Sequence, residues 1–383
     1  MRPRIMTVYG TRPEAIKVAP VIKALEASED FESVTVVTGQ HREMLDQVNE
    51  LFAITPDHDL DIFEHGATLV QIFARVIERL DPVLETAKPA AVIVQGDTST
   101  STAAALAAFY RQIPVVHLEA GLRSGDTSSP FPEEANRRIT TQIAALHLAP
   151  TETSRANLLA EGVDDSTIVV TGNTVIDALL MTVGRQLPFS DPHLEDLAAS
   201  GRRILLVTTH RRESWGEAME GVGRALAQIA RAFPDVEIVL PAHRNPVVRE
   251  AVIPRLAGLP NVMVTEPLPY GEFARLMSLS TVILTDSGGV QEEGPSLGKP
   301  VLVMRDNTER PEAVDAGGVR LIGTEEGRIV TETFKLLRAD DLAGITPNIS
   351  PYGDGNSARS VVSALHRALR VAPALLLEKG RPL

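Results

Sequence analysis

Asp97, Glu119 and Glu133 are the residues of this 383-residue chain whose types and positions most invite chemistry. Asp97 ends the run VIVQGD, Glu119 ends PVVHLE, and Glu133 with Glu134 opens the segment PEEANRRITTQ. A carboxylate at the end of an apolar strand is costly unless it is paired or has a task. Each has an ordinary structural explanation: Asp97 as the cap of the next helix, Glu133 as a favourable charge at a helix start, Glu119 as the partner of an arginine such as Arg123. Taken together, at adjoining strand ends, the three suit proton transfer on both faces of a substrate.

A second group of residues suits an anion. In TVILTDSGGVQEEG a strand runs to Asp286, Ser287 offers a hydroxyl, and Gly288 and Gly289 allow close backbone approach at a helix start near Gly289. Unpaired amides there favour a phosphate, and Glu293, one turn further, can accept from a ribose hydroxyl. YGTRPEAIK brings Arg12 and Lys17 to another strand-to-helix turn, with Pro13 at the first helical position. THRRES places His210 at a strand end beside Arg211 and Arg212, and NTERPEAV adds Arg310. Spacing alone leaves a tight capped turn and solvated surface cations equally open for these segments.

The elements that carry these residues alternate. Short β-branched runs (RIMTVY, VTVVTG, AAVIVQGD, PVVHLEAG, IVVTGN) are followed by helix-length amphipathic stretches, which predicts βαβ units and a mostly parallel, doubly wound sheet. A proline-containing, less periodic stretch, GRQLPFSDPHLEDLAASG, then intervenes. The alternation restarts at RRILLVTTH and continues through VEIVLPAH, VMVTEP, TVILTDSGG and PVLVMRD. The fold class expected is therefore α/β with two Rossmann-like domains, 1–175 and 176–356, and an active site in the cleft between the carboxyl ends of their strands. The tail 372–383 is expected to be disordered.

Bulk properties exclude several classes. The chain has no cysteine, so thiolate catalysis, disulfides and cysteine-bound zinc are out, and its nine histidines show no metal-ligand spacing. A net charge of −13 argues against nucleic acid as a general partner. No apolar run has membrane-spanning length, and the start lacks the features of a signal peptide, so no membrane partner and a cytoplasmic location are expected. The acidic PDHDLD at 56–61 reads as a solvated loop.

The motifs GTRPEAIK, QHREMLDQ, GDT, HLEAGLRSGD, PEEANR, GNTVIDAL, HRRES, LTDSGGVQEEGPSLGKPVLVMRDNTERPEAV and SPYGDG occur in this order. Over nearly the whole chain this closely resembles the bacterial non-hydrolysing UDP-N-acetylglucosamine 2-epimerases. The resemblance implies a GT-B type arrangement, a homodimer, and a C-terminal helix, 357–371, that packs back on the first domain. It implies interconversion of UDP-N-acetylglucosamine and UDP-N-acetylmannosamine through elimination of UDP, a 2-acetamidoglucal intermediate and re-addition. Asp97, Glu119 and Glu133 become the acid/base residues, without assignment of which abstracts and which donates. His210, with Lys17 and Arg12, would balance charge on the departing diphosphate, and Ser287, Gly288, Gly289, Glu293 and Arg310 would hold the nucleotide. Phe273 matches a position lining the uracil pocket, with plain core as its other reading. No NAD or metal is implied, because the reaction needs no hydride acceptor.

Many members of that family also bind a second UDP-N-acetylglucosamine as an activator, and Gln40, Arg212 and His243 fit that site. A second glutamine is Glu43 here, and an arginine expected near position 66 is Gly66. Losing a cation and gaining an anion beside a phosphate predicts weakened activation. Three rivals stay open on the motifs: a hydrolysing epimerase that releases N-acetylmannosamine, a GT-B glycosyltransferase, and a non-catalytic sensor that would have lost the carboxylates.

Overall fold

The computed structural model describes residues 2–39, 42–210, 216–308, 310–339 and 351–371, without the side chains of 42, 43, 370 and 371. The chain forms two compact units, one holding the residues up to Ala178 and those from Tyr352, the other Leu179–Pro351. Strands of the first are β1 (Arg4–Tyr9), β2 (Glu32–Val37), β3 (His58–Asp59), β4 (Ala91–Gln95), β5 (Val115–Leu118), β6 (Leu146–Ala149) and β7 (Ile168–Val170). They pair in the order β3-β2-β1-β4-β5-β6-β7, and every pairing is parallel. The second unit has β8 (Arg203–Thr208), β9 (Val236–Pro241), β10 (Val262–Thr265), β11 (Val282–Thr285), β12 (Val301–Val303) and β13 (Val319–Leu321). Its order, β10-β9-β8-β11-β12-β13, repeats the same winding and is again all parallel. The two doubly wound parallel α/β sheets are the fold class that the alternating pattern predicts.

Strands covered on both faces read as continuous apolar runs, because helices bury each side of a parallel sheet. In the first unit Met6, Val8, Val34, Val36, Val92 and Val94 meet Val76, Leu80 and Leu84 of the helix Leu69–Ala87. The helix Ser99–Tyr110 packs against the same core through Ala103, Ala104, Ala105, Ala107 and Ala108, small side chains that let it lie close to the sheet. In the second unit Leu205, Val207, Ile238, Leu240, Val282 and Leu284 pack with Met219, Val222, Leu226 and Ile229 of the helix Glu217–Ala232. Each fully buried aliphatic side chain contributes about 1.5–3 kcal/mol, so both clusters contribute strongly to folding.

The C-terminal helix Ser357–Val371 packs on the first unit. Its first amides, Ser357 N and Ala358 N, donate to the Asp177 carboxylate at 3.2 and 2.8 Å. An anion at a helix N-terminus is favourable, although burial raises the Asp177 pKa despite these donors. Further along, the His366 ring lies 4.6 Å from Phe31, and its Nε2 lies 3.1 Å from Asp30 Oδ2. Gly172 has no room for a side chain: a Cβ there would stand 2.5 Å from Ser357 Oγ.

Some expectations need correction. The proline-containing stretch holds a helix, Pro192–Ser200, started by the Asp191 side chain on His193 N and ended by Gly201 in the left-handed region. PDHDLD is not simply a solvated loop. His58–Asp59 pairs as the edge strand β3, Leu60 is buried, and Asp57 accepts from Thr35 N at 2.7 Å. The strands β3, β6 and β13, each of two to four residues, lie outside the predicted set. The tail expected to be disordered, 372–383, lies outside the described residues.

Candidate functional site

Glu119 follows the last residue of β5 and takes a φ of +65°, a left-handed conformation that costs a non-glycine residue energy. It is buried, and an unpaired buried carboxylate is more costly still. Three donors offset that cost. The Lys17 ammonium and Asn173 Nδ2 (3.2 Å) meet Oε1, and Gln95 Nε2 meets Oε2. Glu119 is therefore held by β1's following helix, by the end of β4 and by the turn after β7. Its partner is not Arg123, whose guanidinium instead grips both oxygens of Glu161 at 2.7 and 2.8 Å.

Asp97 does not cap the next helix; Thr98 does, accepting from Ser101 N at 3.0 Å. The Asp97 carboxylate meets Arg137 Nη2 at 2.6 Å and Nε at 2.9 Å. Asn136 Nδ2 donates to the Asp97 carbonyl at 2.9 Å. Both donors belong to the helix Glu133–Ile143, whose first residue is Glu133. Positions i, i+3 and i+4 share a helix face, so Glu133, Asn136 and Arg137 line up together and Asp97 is tied to the helix that carries Glu133. Glu133 Oε2 is buried and has no hydrogen-bond partner among the described residues.

Glu134 has a different role from its neighbour. Burial would raise its pKa, but the Ser124 N–H and the guanidinium groups of Arg138 and Arg137 outweigh burial and hold it below the ordinary carboxylate range. Those contacts, at 3.0, 3.1 and 3.3 Å, fix the helix start. Glu14 does comparable work at the first turn. Its carboxylate accepts from Gly10 N, Thr11 N and Thr98 Oγ1 at 2.9, 2.8 and 2.5 Å, joining the Arg12 turn to the Asp97 turn, and burial raises its pKa. Arg12 itself is exposed on the helix Arg12–Glu26, and Lys17, expected on a diphosphate, is here engaged with Glu119.

In the second unit Ser287 is the N-cap residue of the helix Gly288–Ser296 but makes no side-chain cap bond, and the helix begins one residue earlier than expected. A Cβ on Gly288 would stand 2.9 Å from Arg310 Nη1, so the glycine is what lets the guanidinium lie over the turn. Arg310 Nε donates to Glu292 Oε1 at 2.5 Å, and Thr308 Oγ1 donates to Gln291 Oε1 at 2.6 Å, which ties both side chains to the helix. Glu293 accepts from the Tyr270 hydroxyl at 3.0 Å, and burial followed by this carboxylate's charge raises the Tyr270 pKa. Gly289 is the second residue of the same helix, and Phe273 is half-buried on the helix Tyr270–Leu279.

His210 follows β8, and its Nδ1 lies 2.8 Å from Asp286 Oδ1. The other Asp286 oxygen accepts from His210 N at 2.8 Å and Thr209 Oγ1 at 3.0 Å. A buried carboxylate that holds both the backbone and the ring fixes which imidazole edge is presented outward. The His243 ring is 6.0 Å away, and burial, then His210, lowers its pKa. Gln40, Arg212 and the side chain of Glu43 lie outside the described residues. Gly66 has φ +77° and nothing within 4 Å of where a Cβ would project.

Gln95, Asn173, Asn136 and Arg137 hold site carboxylates or their backbone without standing out in the sequence. For two of them a signal existed: Asn136 and Arg137 lie three and four residues after Glu133. Among the described residues no group of three or more His, Asp or Glu side chains is placed to hold a metal ion, and no helix is long and apolar enough to cross a membrane.

The family model described as UDP-N-acetylglucosamine 2-epimerase matches residues 23–366. The UDP-N-acetylglucosamine 2-epimerase of Escherichia coli K12 is 52% identical over 369 residues, covering 94% of this chain and 98% of that protein. Among solved structures, the Neisseria meningitidis UDP-GlcNAc 2-epimerase bound to UDP-GlcNAc is 45% identical with a TM-score of 0.84, covering 95% of this chain and all of that one. A Staphylococcus aureus structure with UDP is 43% identical with a TM-score of 0.84, covering 96% and 97%.

Proposed function

The chain belongs to the UDP-N-acetylglucosamine 2-epimerase family, and from that premise we propose that it epimerises UDP-N-acetylglucosamine at carbon 2 by the non-hydrolysing route. The observation that carries the reading is the linked set of carboxylates at the ends of β4 and β5 and on the helix Glu133–Ile143. A base removes the carbon-2 proton as the anomeric C–O bond breaks and its electron pair leaves with UDP, giving 2-acetamidoglucal. An acid on the opposite face returns a proton to carbon 2, and UDP oxygen adds back to the anomeric carbon. The carbon-2 proton is weakly acidic, so each proton-transfer group must supply roughly 10²–10⁴-fold.

The charge pattern supports a division of labour among the three. Asp97 bears a guanidinium and Glu119 an ammonium. Glu133 has no ion pair among the described residues, which leaves it the carboxyl of the three that no cation engages. Arg310, Ser287 and the amides at Gly288 and Gly289 are suited to the UDP diphosphate, and Glu293 to the ribose. His210, steadied by Asp286, is suited to charge developing on the leaving diphosphate. A homodimer belongs to the same reading. Exposed apolar side chains on the first unit, Phe63, Leu69, Val70, Phe109 and Tyr110, favour an interface there, which light scattering tests.

Proton NMR of the protein with UDP-N-acetylglucosamine in deuterated water, without acceptor, tests the reaction. The expected product is UDP-N-acetylmannosamine carrying deuterium at carbon 2, with little free UDP. Stoichiometric UDP with free N-acetylmannosamine would make the enzyme a hydrolysing epimerase, and an unchanged substrate would overturn the reading.

A further inference from the structure

Two side chains that touch none of the proposed reacting atoms hold the backbone on either side of Asp97. His117, on β5, is fully buried, and its Nε2 lies 2.8 Å from the Gly96 carbonyl oxygen. A carbonyl only accepts, so Nε2 carries the proton. Burial pushes the His117 pKa down to about 4, which leaves a neutral ring. Its Nδ1 is buried without a hydrogen-bond partner among the described residues. The groups facing the ring are Asp97, Glu119, Arg123 and, in register on β6, His147.

Asn136 completes the arrangement by donating to the Asp97 carbonyl, one peptide further along the chain. The Gly96 carbonyl belongs to the peptide that ends in Asp97 N, and the Asp97 carbonyl to the peptide that follows. Both peptide planes flanking the Asp97 Cα are thus fixed by side chains, while Arg137 fixes the carboxylate. Gly96 itself sits at φ +66°, where only glycine turns without strain, and a Cβ there would approach Glu119 Oε2 to 3.4 Å. An apolar residue in place of His117 would spare the orphaned Nδ1 but leave the Gly96 carbonyl without this donor, so what the histidine adds to the turn is the hold on that peptide.

We infer that His117 and Asn136 are positioning residues of the epimerisation: they set the two peptide planes beside Asp97 and thereby the direction of its carboxylate. The inference rests on the assignment of Asp97 to proton transfer. Misplacing a reacting group by about 1 Å costs on the order of 100-fold in rate, whereas a residue serving stability alone would change melting temperature and leave turnover untouched.

The test compares wild type with His117→Gln, His117→Leu and Asn136→Leu for kcat, KM, UDP affinity and the pH profile, with folding checked by circular dichroism. Glutamine places an N–H near the position of Nε2. His117→Gln is expected to keep kcat within about threefold of wild type with a superimposable pH profile, since the ring moves no proton. His117→Leu and Asn136→Leu are expected to lose about 100-fold in kcat at unchanged KM and UDP affinity. Folded leucine variants with wild-type kcat would overturn the inference, as would a folded, inactive His117→Gln. If His117→Leu does not fold, Asn136→Leu decides. If the wild-type enzyme itself exchanges no carbon-2 proton, the epimerase assignment fails instead, before any variant is compared.

Discussion

The two units wind their sheets in the same order, yet the ends of their strands are built in opposite ways. Beyond β4 and β5 the first unit crowds carboxylates against fixed donors: Lys17, Gln95 and Asn173 on Glu119, Arg137 and Asn136 on Asp97. Beyond β11 the second unit removes side chains, leaving Gly288 and Gly289 so that the Arg310 guanidinium lies against a helix start without a side-chain cap. A parallel sheet thus supplies only a rim, and the residues just past each strand set whether that rim is suited to proton transfer or to an anion.

The largest expected effect comes from Asp97→Asn, which keeps shape and removes the charge that Arg137 compensates. Turnover should fall by about 10²–10⁴-fold with UDP affinity unchanged, measured by steady-state kinetics and calorimetry. The opposite signature is expected from Gly288→Val. Its side chain would displace Arg310, and loss of one charge-assisted hydrogen bond, about 1.5–3 kcal/mol, should raise KM roughly tenfold or more at near-normal kcat. Similar signatures in the two variants would erase the contrast between the units.

Lys17→Met removes the Lys17 ammonium from Glu119 and should lower stability by at most about 3 kcal/mol in urea denaturation, because Gln95 and Asn173 remain. A smaller effect concerns pH. The buried His117 has its pKa depressed from the ordinary 6.5 to about 4, so between those values the unfolded chain binds the proton and the native ring does not. Stability contributed by this site is therefore complete above about pH 6.5 and is lost as pH falls toward 4. The fall in melting temperature over that window should be shallower in His117→Gln, and equal slopes would contradict the assignment of a neutral buried ring.

The strands were legible because a buried parallel strand must be apolar along its length, and VIVQ or VILT can hardly be read otherwise. β6, LHLA, escaped because it has no β-branched residue, and β3 and β13 because two or three residues carry no period. The candidate carboxylates stood out by chemical type at strand ends. Their partners did not, since the Lys17–Glu119 pair spans 102 residues and the Asp286–His210 pair 76, separations that no local pattern encodes. Arg123 is not available to Glu119 because it turns toward Glu161, the residue that follows the helix Glu152–Ala160.

Glu133→Gln tests the division of labour most directly when carbon-2 deuterium exchange and UDP affinity are read on the same preparation. Exchange is expected to slow by about 100-fold or more, with UDP binding as in the wild-type enzyme. Exchange at the wild-type rate, or UDP binding weakened in step with exchange, would contradict it.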